Sequence, residues 1–370
     1  MSKQKLIKTA KLAEKTDWRS VAWSDIYSLY LSLVGSAAKQ GGFMSRISIG
    51  EKQKRPSIDI FRKIPKNGAK NALVVISGTH GVEGPAGSFV QMMVANDSFF
   101  TKQKDTAIIL IHALNPWGYA YGRRTNEENI DLNRSGGMEF ITRSGYGEVH
   151  HLVMPEEWDD AAVKNIQNIF IKDPSSRGKF MSGQYDFPNG IFYGGKTRGH
   201  SFATIKYISD FCLSGFENIS ILDIHTGLGE FGKVTPVCGA ASYSDPLVAR
   251  IKNLGFGSVV FPNIPKEEGV VGAVSGDILS AFGELLPTTK VTPLALEFGT
   301  MPFMEYFTYF VAENWIHHSP NRLSSKKEKE VKEKFWELFY PRELRTSWLE
   351  GIWEQTREVA QRMVLVMNER

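Results

Sequence analysis

Two short stretches, each ending an apolar run, carry side chains able to hold a metal. Residues 71–77 read NALVVIS, and the GTHGVEG that follows presents His80 and Glu83 three residues apart among glycines. Residues 219–227 read ISILDIHTG and present His225. Neutral imidazole and carboxylate oxygen are good Zn²⁺ ligands, and catalytic zinc usually takes three protein ligands and keeps one position open. A His-x-x-Glu turn can supply two of these, and His225, from another strand, a third. Glycine at such a turn would let a metal and its substrate come close to the backbone. Each signal is weak alone. A Gly-rich turn can simply expose His and Glu to water, and a strand-end His is more often a hydrogen-bonded structural residue. Yet of the eight histidines only His80 and His225 combine the end of a buried-strand pattern with neighbouring glycines.

Two further segments have side chains suited to the same chemistry. RRTNEENIDLNRS, residues 123–135, carries Arg123, Arg124, Asn133 and Arg134. The arginine fork matches a carboxylate or an oxyanion, and Asn adds a fixed donor. The competing reading is a surface on which these arginines pair with Glu127, Glu128 and Asp131. LALEFGT, residues 294–300, places Glu297 at the end of an apolar strand. A carboxylate there is either buried and paired or poised for proton transfer as a general base.

The elements that must position these groups alternate along the chain. A helix is expected over residues 20–40, followed by a hairpin from FMSRISIG and SIDIFRKI. NALVVISG and TAIILIHALN are continuous apolar runs, as strands buried on both faces require. PAGSFVQMMVAND between them reads as a helix with Pro85 in its first turn, completing a β-α-β unit. SFATIKYISDFCL, a helix near 245–254 and a strand at VTPLALEFGT continue the alternation. The ends of parallel strands in open α/β sheets are where ligands bind. Residues 135–198 differ: they are rich in Gly, Ser, Pro and aromatics, with one helix near 156–171, and read as a lid or binding loop. The last seventy residues read as helical and Trp-rich. One catalytic domain over 1–370, with a core of about 60–305, an N-terminal helix and hairpin and a C-terminal helical extension, is the simplest organisation.

Composition narrows the function classes. The net charge is +4 over 370 residues, and the densest charged run, SSKKEKEVKEK, mixes both signs and reads as a solvated helix face, so nucleic acid is not expected as a partner. Cys212 and Cys238 are the only cysteines and lack CxxC spacing, which fits a reducing compartment and argues against a Cys-based zinc site. No apolar stretch is long enough to span a bilayer, and the first twenty residues lack a secretory apolar region. A cytoplasmic protein with no membrane partner is expected. The eight Trp residues, several in the C-terminal helices, leave room for a helical oligomer interface.

The order His80-x-x-Glu83, Asn133-Arg134, His225, Glu297 resembles the carboxypeptidase A-like zinc metallopeptidase superfamily. NPWG at 115–118 and DLNR at 131–134 look like its Asn-Pro-x-Gly and Asp-x-Asn-Arg motifs, and together the matches span residues 73–300 in the family order. GTHGVE and DIHTG look more like the branch of aspartoacylase and succinylglutamate desuccinylase. SGTHGVEGPAG, GQYDFPNGIFYGG and DIHTGLGEFG are most similar to a bacterial group named only as a domain of unknown function. The resemblance implies an α/β fold with a mixed, mainly parallel sheet of about eight strands flanked by helices, zinc carboxypeptidase-like (phosphorylase/hydrolase-like). It implies zinc on His80, Glu83 and His225, with Asp131 orienting His80. Glu297 would be the base, Arg124 would steady the oxyanion with Arg123 as competitor, and Asn133 with Arg134 would bind a substrate carboxylate. Hydrolysis of an amide beside a free carboxylate follows, the substrate being a small peptide or an N-acyl amino acid. A catalytically inactive binding module is the remaining alternative. The family's mobile tyrosine has no counterpart in VVGAVSGDILSAF, and Tyr185 and Tyr193 are the candidates to replace it, against a plain role as loop aromatics packed on the surface.

Overall fold

The computed structural model describes residues 22–48, 56–137, 140–142, 144–173, 176–240, 244–256, 259–261 and 277–369. Its centre is a seven-stranded sheet: β1 (Phe43–Ser48), β2 (Ser57–Lys63), β3 (Asn71–Ser77), β4 (Thr106–His112), β5 (Asn218–Phe231), β6 (Val234–Val237) and β7 (Lys290–Gly299), in the spatial order β1-β2-β4-β3-β5-β7-β6. The four inner strands, β4, β3, β5 and β7, are parallel, while β1, β2 and β6 join antiparallel at the two sides. This is the mixed, mainly parallel α/β sheet expected, with seven strands among the described residues rather than about eight.

Every residue of β3 and β4 is buried, which explains their unbroken apolar runs. Alternate side chains feed two layers. Leu73, Val75, Leu110, Leu222 and Leu294 face one side, where helices Ala22–Lys39, Gly84–Asn96 and Arg345–Asn368 pack through residues such as Tyr30, Val90 and Ile352. Val74, Ile76, Ile109 and Ile221 face the other, under helices Gly199–Ile208 and Ile278–Leu285. The C-terminal helix thus belongs to the core, with Trp348, Leu349 and Met363 buried in it.

A third apolar cluster lies beyond the strand ends. There helix Phe303–His318 packs on helices Asp160–Lys172 and Ser325–Glu337 and on Tyr146, Ile191 and Phe192. The segment 135–198 therefore has an apolar anchor of its own. It folds as short helical turns joined by irregular chain, and helix Asp160–Lys172 matches the helix expected near 156–171.

Candidate metal centre

The C-terminal ends of β3, β5 and β7 lie side by side, because these strands are parallel neighbours in register. β3 ends at Ser77, and Gly78 takes a left-handed φ of +64° that turns the chain out of the sheet. Thr79 and His80 follow, a 3-10 turn covers Gly81–Glu83, and helix Gly84–Asn96 starts at once with Pro85 in its first turn. On β5, His225 is the direct neighbour of Glu297 on β7. The glycines of GTHGVEG serve the backbone rather than a ligand. A Cβ at Gly81 would lie 1.9 Å from the Gly118 carbonyl carbon and 2.1 Å from Tyr119 N, and one at Gly84 would meet the Tyr119 ring at 2.2 Å. The expectation that glycine opens this turn to a metal is corrected: what comes close is the NPWG turn.

His80, Glu83 and His225 converge, all at most 3 % exposed. His80 Nδ1 lies 2.8 Å from Glu83 Oε1, His225 Nδ1 lies 2.9 Å from Glu83 Oε2, and the two Nδ1 atoms are 3.2 Å apart. The outer nitrogens are both taken by carboxylates: His80 Nε2 by Asp131 at 3.2 Å and His225 Nε2 by Asp223 at 2.8 Å. Carboxylates on Nε2 keep the proton there and leave Nδ1 as a lone pair. Two lone-pair nitrogens and a carboxylate then face one another, and only a cation between them, a proton or a metal ion, relieves the repulsion. Two nitrogens and one carboxylate at this spacing match the donor set of catalytic zinc, so the residues fit the ion.

Electrostatics agree. Burial opposes charge on the His225 imidazole, yet Asp223 and Glu83 hold its pKa well above the ordinary value. Burial likewise opposes ionisation of Glu83 and Asp131, but His80 and His225 around Glu83, and Arg124 and His80 beside Asp131, hold both below the usual carboxylate range. Glu297 goes the other way: burial, helped by the charge of Glu83, pushes its pKa up against the pull of His225.

The two neighbouring arginines separate cleanly. Arg124 donates from Nε to Asp131 Oδ2 at 3.0 Å and from Nη1 to Glu83 Oε1 at 3.1 Å. Arg123 turns away to an ion pair with Glu313 at 2.5 Å, which His317 joins at 3.2 Å. DLNR forms a one-turn 3-10 helix over Leu132–Arg134, with the Asp131 side chain accepting from Asn133 N. Arg134 is 6 % exposed and donates to the carbonyls of Asn133 and Met181. Among the described residues its Nε and the Asn133 Oδ1 are buried with no hydrogen-bond partner, and burial lowers the guanidinium pKa. Arg124 and Arg134 both face the Phe192 ring, their guanidinium carbons 5.2 Å and 5.0 Å from its centroid.

Neither candidate tyrosine of the irregular segment makes a side-chain contact with His80, Glu83 or His225 among the described residues, and the charges acting on the Tyr193 hydroxyl are Glu128 and Asp186. The fully buried Tyr185 donates to the Arg134 carbonyl at 2.9 Å, and Tyr193 accepts from Asp131 N at 2.7 Å through its own carbonyl. Tyr185 is therefore a buried brace, not a surface aromatic. The stretch 262–276, which includes the start of GDILSAF and the residues before it, lies outside the described residues. Three groups at the centre went unread in the sequence. Asp223 carried a signal, because a residue two before His225 on a strand shares its face. Phe192, at a left-handed φ of +52°, and Tyr306 on helix Phe303–His318 carried none.

Solved structures similar to this chain include carboxypeptidase A from Helicoverpa armigera, at 14 % identity and a TM-score of 0.49, over 97 % of this chain and 79 % of that one. Another is a metallo-carboxypeptidase from Pseudomonas aeruginosa, at 13 % identity and a TM-score of 0.38, over 87 % and 68 %. A third, from Shewanella amazonensis SB2B, is assigned to the succinylglutamate desuccinylase/aspartoacylase family, at 17 % identity and a TM-score of 0.35, over 81 % and 72 %. No curated protein matches the sequence. The model of the family described as Protein of unknown function (DUF2817) matches residues 36–355, and the chain belongs to that family.

Proposed function

We propose that this protein is a zinc-dependent hydrolase, one catalytic unit that cleaves an amide bond beside a free carboxylate in a small peptide or an N-acyl amino acid. The observation that carries this reading is the convergence of His80 Nδ1, His225 Nδ1 and Glu83 within 3.2 Å while both Nε2 atoms are held by carboxylates. Zinc bound there would polarise the scissile carbonyl and acidify water. Glu297, the register neighbour of His225, accepts the proton of the attacking water and passes it to the leaving nitrogen. Arg124, tied to Glu83 and Asp131, faces the oxygen on which charge develops. Arg134, whose buried Nε has no hydrogen-bond partner among the described residues, takes up the substrate carboxylate, with the side-chain NH2 of Asn133 as a second donor. Either substrate class offers that group. The two cysteines, both free, suit a reducing compartment, so we place the protein in the cytoplasm.

The test is elemental analysis of the purified protein together with turnover of a panel of peptides and N-acyl amino acids. About one zinc per chain is expected, and Glu297→Gln should retain it while kcat falls by about 10²-fold or more. No zinc uptake, or full activity of Glu297→Gln, would overturn the reading. Zinc without turnover on any substrate would favour a binding module.

A further inference from the structure

Tyr306 approaches the same centre from outside the sheet. It lies on the first turn of helix Phe303–His318, and its ring rests on the strand end just past His225. A Cβ at Gly227 would come within 2.9 Å of that ring, and Gly227 holds a φ of +136°, so glycine both allows the backbone and leaves the space. Phe310 stacks on the ring with centroids 5.8 Å apart, and Phe339 meets it edge-on at 5.5 Å. The frame around it is tied together. Thr226 Oγ1 donates to the Phe339 carbonyl at 2.7 Å, and Thr300 Oγ1 donates to the carbonyls of Gly227 and Leu338. The ring is 3 % exposed and has little freedom to move.

Phe310, stacked on the Tyr306 ring, also lies 5.6 Å from the Arg124 guanidinium carbon, and the charges of Arg124, Glu83, Glu297 and Asp131 act on the hydroxyl. None of these contacts is a hydrogen bond, so among the described residues the phenol has no partner. The ring is buried, but the hydroxyl is not one of the enclosed orphan atoms, so its donor stays open to a ligand at the centre. Arg124 meanwhile has two of its donors occupied by Asp131 and Glu83. A phenol is protonated at neutral pH and is a donor without carrying charge.

We propose that the Tyr306 hydroxyl donates a hydrogen bond to a ligand oxygen bound at the His80–Glu83–His225 centre, beside Arg124. Taken with the hydrolase reading, on which this part rests, that oxygen is the carbonyl oxygen that becomes negative as water adds. No bond to Tyr306 forms and no proton leaves it; the hydroxyl is a fixed dipole aimed at developing charge.

Tyr306→Phe tests this directly, because the ring and its packing stay while only the hydroxyl goes. In the zinc-loaded protein the melting temperature should not fall, since no protein hydrogen bond is lost. The kcat should drop by about 10²-fold with KM little changed. Acetohydroxamate, a small anion that puts oxygen at a metal, should bind about tenfold more weakly to the variant by calorimetry. Equal acetohydroxamate affinity for the two proteins would remove Tyr306 from the site whatever the activity, and so would a marked loss of melting temperature, which would make the hydroxyl a support of the fold. Weaker acetohydroxamate binding in a protein that hydrolyses no amide would leave the Tyr306 contact standing and bring down the hydrolase reading alone.

Discussion

At the scale of single residues, the centre is built from pairs in which a carboxylate aims an imidazole. Asp223 and His225 stand two apart on β5, so both side chains leave the same face and Oδ2 reaches Nε2 at 2.8 Å. Thr79, just past β3, donates from Oγ1 to both Asp223 oxygens at 3.0 Å and 2.8 Å and keeps that carboxylate in place. Asp131 serves His80 in the same way while also receiving Arg124. Such outer partners fix which nitrogen carries the proton, and their loss typically costs 10–100-fold in metal affinity. Asp223→Asn should therefore bind zinc about 10–100-fold more weakly in competition with a chelator, with the fold retained. Unchanged affinity would show that His225 needs no help in choosing its tautomer.

At the scale of elements, the turn between β3 and helix Gly84–Asn96 depends on two backbones lying against each other. Gly81 packs on Gly118, and the backbone bonds Gly81 N to Arg124 O and Val82 N to Arg123 O tie the His80 turn to the segment that brings in Arg124. His80, Glu83 and Arg124 are thus positioned by one contact. Gly81→Ala would drive a methyl into that contact, where neither chain can yield, and should cost about 1–3 kcal/mol or more in thermal or denaturant unfolding. Gly283, in helix Ile278–Leu285 with nothing within 4 Å of an added Cβ, is the natural control. Gly283→Ala should stabilise by about 0.5–1 kcal/mol. Equal effects of the two substitutions would show that the Gly81 contact is slack. Sequence periodicity placed β3, β4 and β7 and the helix between β3 and β4 close to their observed bounds, and the start of β5, which runs on to Phe231 beyond the expected end at 227. It could not show that Gly81 meets Gly118, because that contact depends on how two turns cross.

At the scale of the whole molecule, the N-terminal helix is joined to the sheet through a buried histidine. His112, at the end of β4, stacks on Tyr30 at 4.0 Å and Tyr27 at 5.6 Å, both on helix Ala22–Lys39. Ser88 Oγ lies 2.7 Å from its Nε2, and Tyr119 packs edge-on at 4.9 Å. Burial lowers its pKa from 6.5 to about 3. Its folded pKa is depressed, so the unfolded chain binds the extra proton between about pH 6.5 and 3, and stability falls as pH drops through that window. Thermal unfolding of the metal-free protein followed against pH should show this loss, and His112→Phe should lose less over the same range. Parallel curves for the two proteins would mean that His112 is not the group responsible.

The sequence by itself determined the elements and the chemistry on offer. Apolar runs fixed which segments become buried strands, and the short-range spacings placed His80 with Glu83, and Asp131 with Asn133 and Arg134, within single turns. Alternation on β5 also held the Asp223–His225 pair, although it went unread. Tertiary structure decided what meets what: His225 against Glu83, 142 residues apart in the chain, Arg124 rather than Arg123 on Glu83, and Tyr306 over Gly227. The reason is physical. Local periodicity and turn chemistry act over a few residues and are written in the order of side chains. Contacts between distant segments depend instead on the register of parallel strands and on how helices pack across their ends, and many sequence positions set those jointly.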